Sequence, residues 1–175
     1  MGRDKKNEKR VGKFAMLLQM EVMLEAWKRL SPSAQVAYLH LIFRCWSEGK
    51  KLHHNNNGEV ALSARKLADV MGIAPKTAMS AMADLQAKGW IICTKRHQKG
   101  VEGRALAPEW RLTMRPTGLG KTHRPPTREP ERWREGHDYE VTEYATSKRP
   151  GHARGDASRF QQAPTPVNVI ALRAR

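Results

Sequence analysis

The sequence predicts one mainly α-helical domain with a small β component, preceded and followed by disordered segments. Apolar residues recur densely from residue 14 to residue 114, with helical spacing in four stretches and short β-branched or aromatic runs in three others. Residues 1–13 are rich in Lys and Arg, and residues 115–175 are rich in Pro, Gly, Thr, Arg and Glu. Such segments bury too little apolar surface to offset chain entropy. We therefore expect a flexible basic arm (1–13), a domain (14–114) and a disordered tail (115–175).

Two helices are predicted at the start of the domain. Residues 14–30 contain no Gly or Pro and are rich in Met, Leu, Glu and Ala, which favours a helix. Its wide apolar stripe predicts a core helix or, as an alternative, a surface that forms a homodimer. Ser31 and Pro32 are a capping hydroxyl and a first-turn proline, and they predict a second helix to about residue 46. Its expected apolar face comprises Val36, Leu39, Phe43 and Trp46.

The rest of the domain reads as strand, helix, helix, strand, basic loop and strand. The predicted ranges are a strand at 59–62, helices at 64–71 and 75–88, a strand at 90–94, a Gly-containing basic turn at 97–104 and a strand at 106–113. Ser63 is the expected cap of the first of these helices, and Gly72 and Gly89 are expected to end the two helices. Pro108 marks an edge or a bend in the last strand.

The two helices between residues 63 and 88 have the pattern of a helix-turn-helix. Steeply crossing helices need a tight turn and small or apolar residues at their contact. Gly72 supplies the turn, and the expected contact residues are Leu67, Ala68 and Met71 on the first helix and Ala78, Ala81, Met82 and Leu85 on the second.

Residues 32–113 resemble the winged helix-turn-helix family of bacterial DNA-binding proteins. The motifs that carry the resemblance are Leu62-Ser63-x-x-x-Leu67-Ala68-x-x-x-Gly72-Ile73, Lys76-Thr77-Ala78 and Leu85-x-x-x-Gly89-Trp90-Ile91. The chain is most similar to the kind found in plasmid and phage replication initiators and mobile-element regulators. The resemblance implies a fold and DNA binding, but neither a target sequence nor a biological process, because this fold serves many.

If the second helix (75–88) enters the major groove, its early outward residues meet base edges. These are Lys76, Thr77 and Ser80, and hydroxyl and ammonium groups can hydrogen-bond to bases there. Contacts to the DNA backbone or minor groove are expected from the first helix of the pair and from the wing (95–104). The candidate residues are Arg65, Lys66, Lys95, Arg96, Gln98, Lys99 and Arg104.

The charge of the chain favours a polyanionic partner. Lys and Arg number 32 against 17 Asp and Glu, for a formal net charge of +15. The sequence contains no apolar run of membrane-spanning length, no signal peptide, no paired metal-ligand spacing and no nucleophile motif. Gly118-Leu119-Gly120-Lys121-Thr122 lacks the earlier glycine of a phosphate-binding loop. We therefore expect a non-enzymatic, cytoplasmic, nucleoid-associated protein with free thiols at Cys45 and Cys93, without cofactor, metal or membrane contact.

The most favoured function at this point is sequence-specific binding of double-stranded DNA by a transcriptional regulator. The alternatives are an origin-binding replication initiator of a plasmid or phage, a basic RNA-binding or ribosome-associated protein, and an adaptor that binds proteins only. The aromatic and apolar residues at 133–144 and 167–172 are candidate binding segments for a protein partner.

Overall fold

The computed structural model describes residues 15–45, 55–99, 105–118 and 120–145. Within these ranges the fold is mixed α/β, with six helices, a three-stranded antiparallel sheet and a separate two-stranded hairpin. The predicted basic arm (1–13), Trp46, Arg104 and the candidate segment 167–172 lie outside the described residues.

The helices and strands follow the predicted order from residue 32 to residue 112. The helices are α1 (Gln19–Val22), α2 (Glu25–Lys28), α3 (Pro32–Arg44), α4 (Ala64–Met71), α5 (Pro75–Ala87) and α6 (Glu129–Arg132). The strands are β1 (Val60–Ala61), β2 (Ile91–Lys95), β3 (Gln98–Lys99), β4 (Ala105–Leu106) and β5 (Glu109–Leu112).

The prediction of a single helix over 14–30 is wrong, because the chain forms the two short helices α1 and α2. Leu24, between them, is extended (φ −62°, ψ 142°). In one continuous helix Glu21 and Trp27 would point about 120° apart, at about 100° per residue. The break lets both side chains be buried. Three residues of the apolar stripe that was expected to form a core, Met16, Met20 and Met23, are instead exposed.

Helix α3 begins as predicted but buries a different face. The Ser31 hydroxyl accepts a hydrogen bond from the Ala34 N–H at 3.3 Å, which confirms the cap. The buried residues are Ala34, Ala37, Tyr38 and Leu41. The predicted face is wrong, because Val36 and Phe43 are exposed and Leu39 is only half-buried. Small residues face inward where α3 packs against α5, and a close approach of two helices favours alanine over larger side chains.

Helices α4 and α5 form the predicted pair. The Ser63 hydroxyl caps α4 by accepting from the Lys66 N–H at 3.2 Å, and Gly72 ends the helix in the left-handed region (φ 66°). The expected contact residues are buried, apart from the half-buried Met71: Leu67, Ala68, Ala78, Ala81, Met82 and Leu85.

The three-stranded sheet has the order β1-β5-β2, with all neighbours antiparallel. Trp110 lies at its centre, in register with Val60 on one side and Cys93 on the other. Its ring is fully buried, and its indole N–H donates to the Leu62 carbonyl oxygen at 2.8 Å. The predicted strand 106–113 is divided at Pro108, so β4 pairs with β3 in the hairpin and β5 stays in the sheet.

Three aromatic rings join the N-terminal helices to the rest of the core. Trp27, Tyr38 and Trp90 pack edge to face, with ring centroids 4.9–5.9 Å apart. Such pairs add to the stabilisation from apolar burial. The core therefore extends from α2 through α3 to the start of β2.

The prediction that the disordered tail begins at residue 115 is wrong for residues 115–118 and 120–145, which pack on the domain. Arg115 forms an ion pair with the buried Glu21 at 2.5 Å, and the Trp133 ring is only 4% exposed. The Lys88 ammonium, at the residue that follows α5, lies 5.7 Å from the centroid of that ring. A few aromatic and charged contacts thus order a segment of polar composition, and the described domain ends near residue 145 rather than 114.

Candidate nucleic-acid interface

The starts of α4 and α5 and the β3–β4 hairpin border one open cavity of about 610 Å³. Its lining includes Arg65 from α4, Pro75 and Met79 from α5, His97 before the hairpin, Leu106 from β4 and Tyr144 near the described C-terminal end. The fold therefore brings the helix pair and the hairpin, which are far apart in sequence, to a single surface.

The predicted base-reading residues lie on the outward side of α5. Lys76, Thr77 and Ser80 are exposed, whereas Ala78 and Ala81 between and beside them are fully buried against the domain. This alternation follows from the helical repeat of a helix that has one face in the core. The three predicted side chains are accessible to a partner molecule.

The predicted backbone-contacting residues on α4 are also exposed. Arg65 and Lys66 follow the Ser63 cap in the first turn of the helix. Among the residues that the structure describes, no carboxylate forms an ion pair with Arg65, Lys66, Lys76 or Arg96. By contrast, Lys88, Arg111 and Arg115 are paired with Asp84, Glu129 and Glu21.

The predicted wing is a hairpin, and its described residues divide into two groups. Arg96 and Gln98 are exposed. Lys95 is at the end of β2, where its ammonium group lies 3.3 Å from the Glu109 carboxylate across the sheet, so it already has a partner. Lys99 belongs to β3, in register with Ala105, while Arg104 falls in the undescribed turn 100–104.

Residues 138–145, the C-terminal strap, reach this surface without having been predicted to do so. The Tyr144 hydroxyl accepts a hydrogen bond from the Ala64 N–H, in the first turn of α4, at 3.1 Å. The Glu143 carboxylate accepts from the His97 N–H at 3.3 Å and lies 3.6 Å from the His97 Nδ1 atom. Burial raises the pKa of the Tyr144 phenol. The sequence marks the aromatic residues at 133–144 as a candidate binding segment for a protein partner. In the structure these aromatic residues contact other parts of the same chain.

The two cysteines are half-buried and pack against the core. Burial raises the pKa of the Cys45 thiol to about 11, and burial also raises the pKa of Cys93. Within the described ranges, no cluster of three or more His, Cys, Asp or Glu side chains could hold a metal ion, and no helix is long and apolar enough to cross a membrane.

No protein-family model, curated protein or solved structure matches the chain. The functional interpretation therefore depends on the geometry of the interface itself.

Proposed function

We propose that the protein binds double-stranded DNA sequence-specifically, as a winged helix-turn-helix protein, and acts as a transcriptional regulator. In this proposal α5 lies in the major groove, where Lys76, Thr77 and Ser80 contact base edges. The hairpin is the wing, and Arg96 and Gln98 contact the backbone or the minor groove. The order α3, β1, α4, α5, β2, hairpin, β5 is that of a winged helix and supports this reading.

The observation that carries the proposal is the exposure of three cations on one surface and their lack of a carboxylate partner among the described residues. Arg65, Lys66 and Lys76 are exposed and lack a carboxylate partner among the described residues, and they lie on the two helices that border the cavity. An exposed cation without an internal partner is available to a phosphate, and each such contact releases a counterion from DNA. Together with the net charge of +15, this favours a polyanion over a neutral protein surface as the partner.

Two features of α5 fit a groove-reading role. Its outward early face carries hydroxyl and ammonium groups rather than carboxylates, which phosphates would repel. Its N-cap, Ala74, makes no side-chain hydrogen bond to the helix, so the first-turn N–H groups are not occupied by a capping side chain. Backbone N–H groups in that position can bind a DNA phosphate.

The test is selection of bound duplexes from a random pool by the full chain, followed by affinity measurements on the selected sequence. We expect sequence preference, and a loss of at least about thirtyfold in affinity for that sequence when Lys76 and Thr77 are both replaced by Ala, at about 1–3 kcal/mol per good base contact. The matched control is Lys28→Ala, at an exposed lysine of α2 that does not border the cavity. Equal affinity for structured RNA, or no preference among duplexes, would reject the proposal.

A further inference from the structure

An apolar patch lines the cavity on the proposed DNA-binding surface. Met79 of α5 is 39% exposed and Leu106 of β4 is 49% exposed, and both border the cavity together with Pro75. Pro75 and Met79 are four residues apart, so they lie one above the other on the same side of α5. Arg65 lines the same cavity, and the exposed Lys76 and Ser80 are the sequence neighbours of Pro75 and Met79 on α5.

The outward early face of α5 has only one side chain of the kind that reads purines, Lys76. Residues 76–80 are Lys, Thr, Ala, Met and Ser, so Arg, Asn and Gln, which form bidentate contacts to guanine or adenine, are absent from this stretch. The groups that remain accessible are one ammonium group, two hydroxyls, the Thr77 methyl and the Met79 thioether chain. Hydrogen-bonding groups on this face are few, so apolar contact is a further source of specificity available to it.

The major groove offers one apolar base feature, the 5-methyl group of thymine. We propose that Met79 is a specificity-determining residue whose side chain, supported by Pro75 and bordered by Leu106, contacts thymine methyl groups. The inference rests on the proposed function and narrows it to duplexes with thymine at defined positions. A flexible thioether suits this contact, because methionine adapts its shape to irregular apolar surfaces.

Deoxyuridine provides the test, because it differs from thymidine only by the missing methyl group. In the selected duplex, each thymidine is replaced in turn by deoxyuridine, and the affinity of the full chain is measured at constant salt. At one or two positions we expect about a fourfold loss per methyl group removed, from the transfer free energy of a buried CH₂. At the same positions, 5-methylcytosine in place of cytosine in a C·G variant should recover part of the loss.

The Met79→Ala variant should bind the thymidine and deoxyuridine duplexes equally, while Met79→Leu should keep part of the discrimination. Val70→Ala, at a 48% exposed apolar residue of α4 that does not line the cavity, is the matched control and should discriminate as the parent does. This combination of protein and DNA changes separates a direct contact from an effect of uracil on duplex flexibility.

Tight binding of the selected duplex with no effect of deoxyuridine at any position would overturn the role of Met79 and leave DNA binding intact. Retained discrimination in Met79→Ala would overturn it too. A failure of the parent chain to bind any duplex would overturn both the inference and the proposed function. Because Met79 is partly exposed, its variants should keep the unfolding midpoint of the parent, which circular dichroism checks.

Discussion

The side-chain amide of Gln86 pairs with the backbone of Glu143 across 57 residues of sequence. Its Nε2 atom donates to the Glu143 carbonyl oxygen at 2.7 Å, and its Oε1 atom accepts from the Glu143 N–H at 3.2 Å. Gln86 is itself only 2% exposed. The amide thus makes the two hydrogen bonds that the backbone of a neighbouring strand would otherwise make. These bonds fix the C-terminal strap to the helix proposed to read DNA.

Replacing Gln86 by Ala should therefore destabilise the domain by about 1–3 kcal/mol, because it leaves half-buried backbone groups of the strap without this partner. The measurement is the free energy of unfolding in urea. Asn56→Ala is the comparison variant. The Asn56 side-chain amide also donates to a backbone carbonyl, that of Arg44, but this contact lies outside the strap. The expected difference is that only Gln86→Ala also increases proteolytic cleavage within 138–145. Unchanged cleavage there would show that the amide does not hold the strap.

The sequence predicted the elements whose determinants are local. Ser63, Gly72 and the spacing of Leu67, Ala78 and Leu85 specify a capped helix, a turn and a contact face within about 25 residues, and all appear as expected. These signals depend on backbone hydrogen bonding and helical periodicity, which a linear pattern records directly.

The elements that were mispredicted depend on partners far away in sequence. Glu21 is buried because Arg115 lies against it, 94 residues later, and no periodicity in residues 14–30 contains that information. The strap is likewise held by Gln86, whose position inside an amphipathic helix gives no sign of its partner. At the interface, exposure of Lys76 and Thr77 was predictable from the helical repeat, whereas the arrival of Glu143 and Tyr144 was not.

Cations on the two helices and the hairpin should control the salt dependence of DNA binding rather than its sequence preference. We expect Arg65→Ala and Arg96→Ala each to weaken all duplexes alike and to lower the slope of log affinity against log salt by about 0.9 per lost phosphate contact. Fluorescence anisotropy over a series of salt concentrations measures this slope. Lys28→Ala should leave the slope unchanged, and a change in sequence preference in Arg96→Ala would place that residue on a base edge instead.

Stability should fall in mild alkali because of the half-buried Cys45 thiol. Burial raises the pKa of this thiol to about 11, from an ordinary value of 9.0. Between these values the unfolded chain releases a proton that the folded chain retains, so the free energy of unfolding decreases with pH. The stabilising contribution is complete below pH 9, and the decrease should approach about 1.4 kcal/mol per pH unit between pH 9 and 11. Cys45→Ala should reduce this decrease when urea unfolding is measured at pH 8.5 and 10.5, and an identical slope would contradict the assignment.

Two glycines with similar positive φ angles provide a matched test of how closely the strap packs. Gly72 and Gly89 both have positive φ, 66° and 75°. A Cβ atom at Gly72 would meet no atom within 4 Å, whereas one at Gly89 would lie 2.7 Å from the Tyr139 ring and 2.9 Å from Glu129 Cβ. Gly72→Ala should therefore destabilise by about 1–2 kcal/mol, the cost of a left-handed conformation. Gly89→Ala carries the same cost and a steric one, because Tyr139 and Glu129 must move. We expect its unfolding midpoint in urea to lie clearly below that of Gly72→Ala. Equal midpoints would mean that the strap yields without loss of stability, and so that its packing against the end of α5 contributes little to the fold.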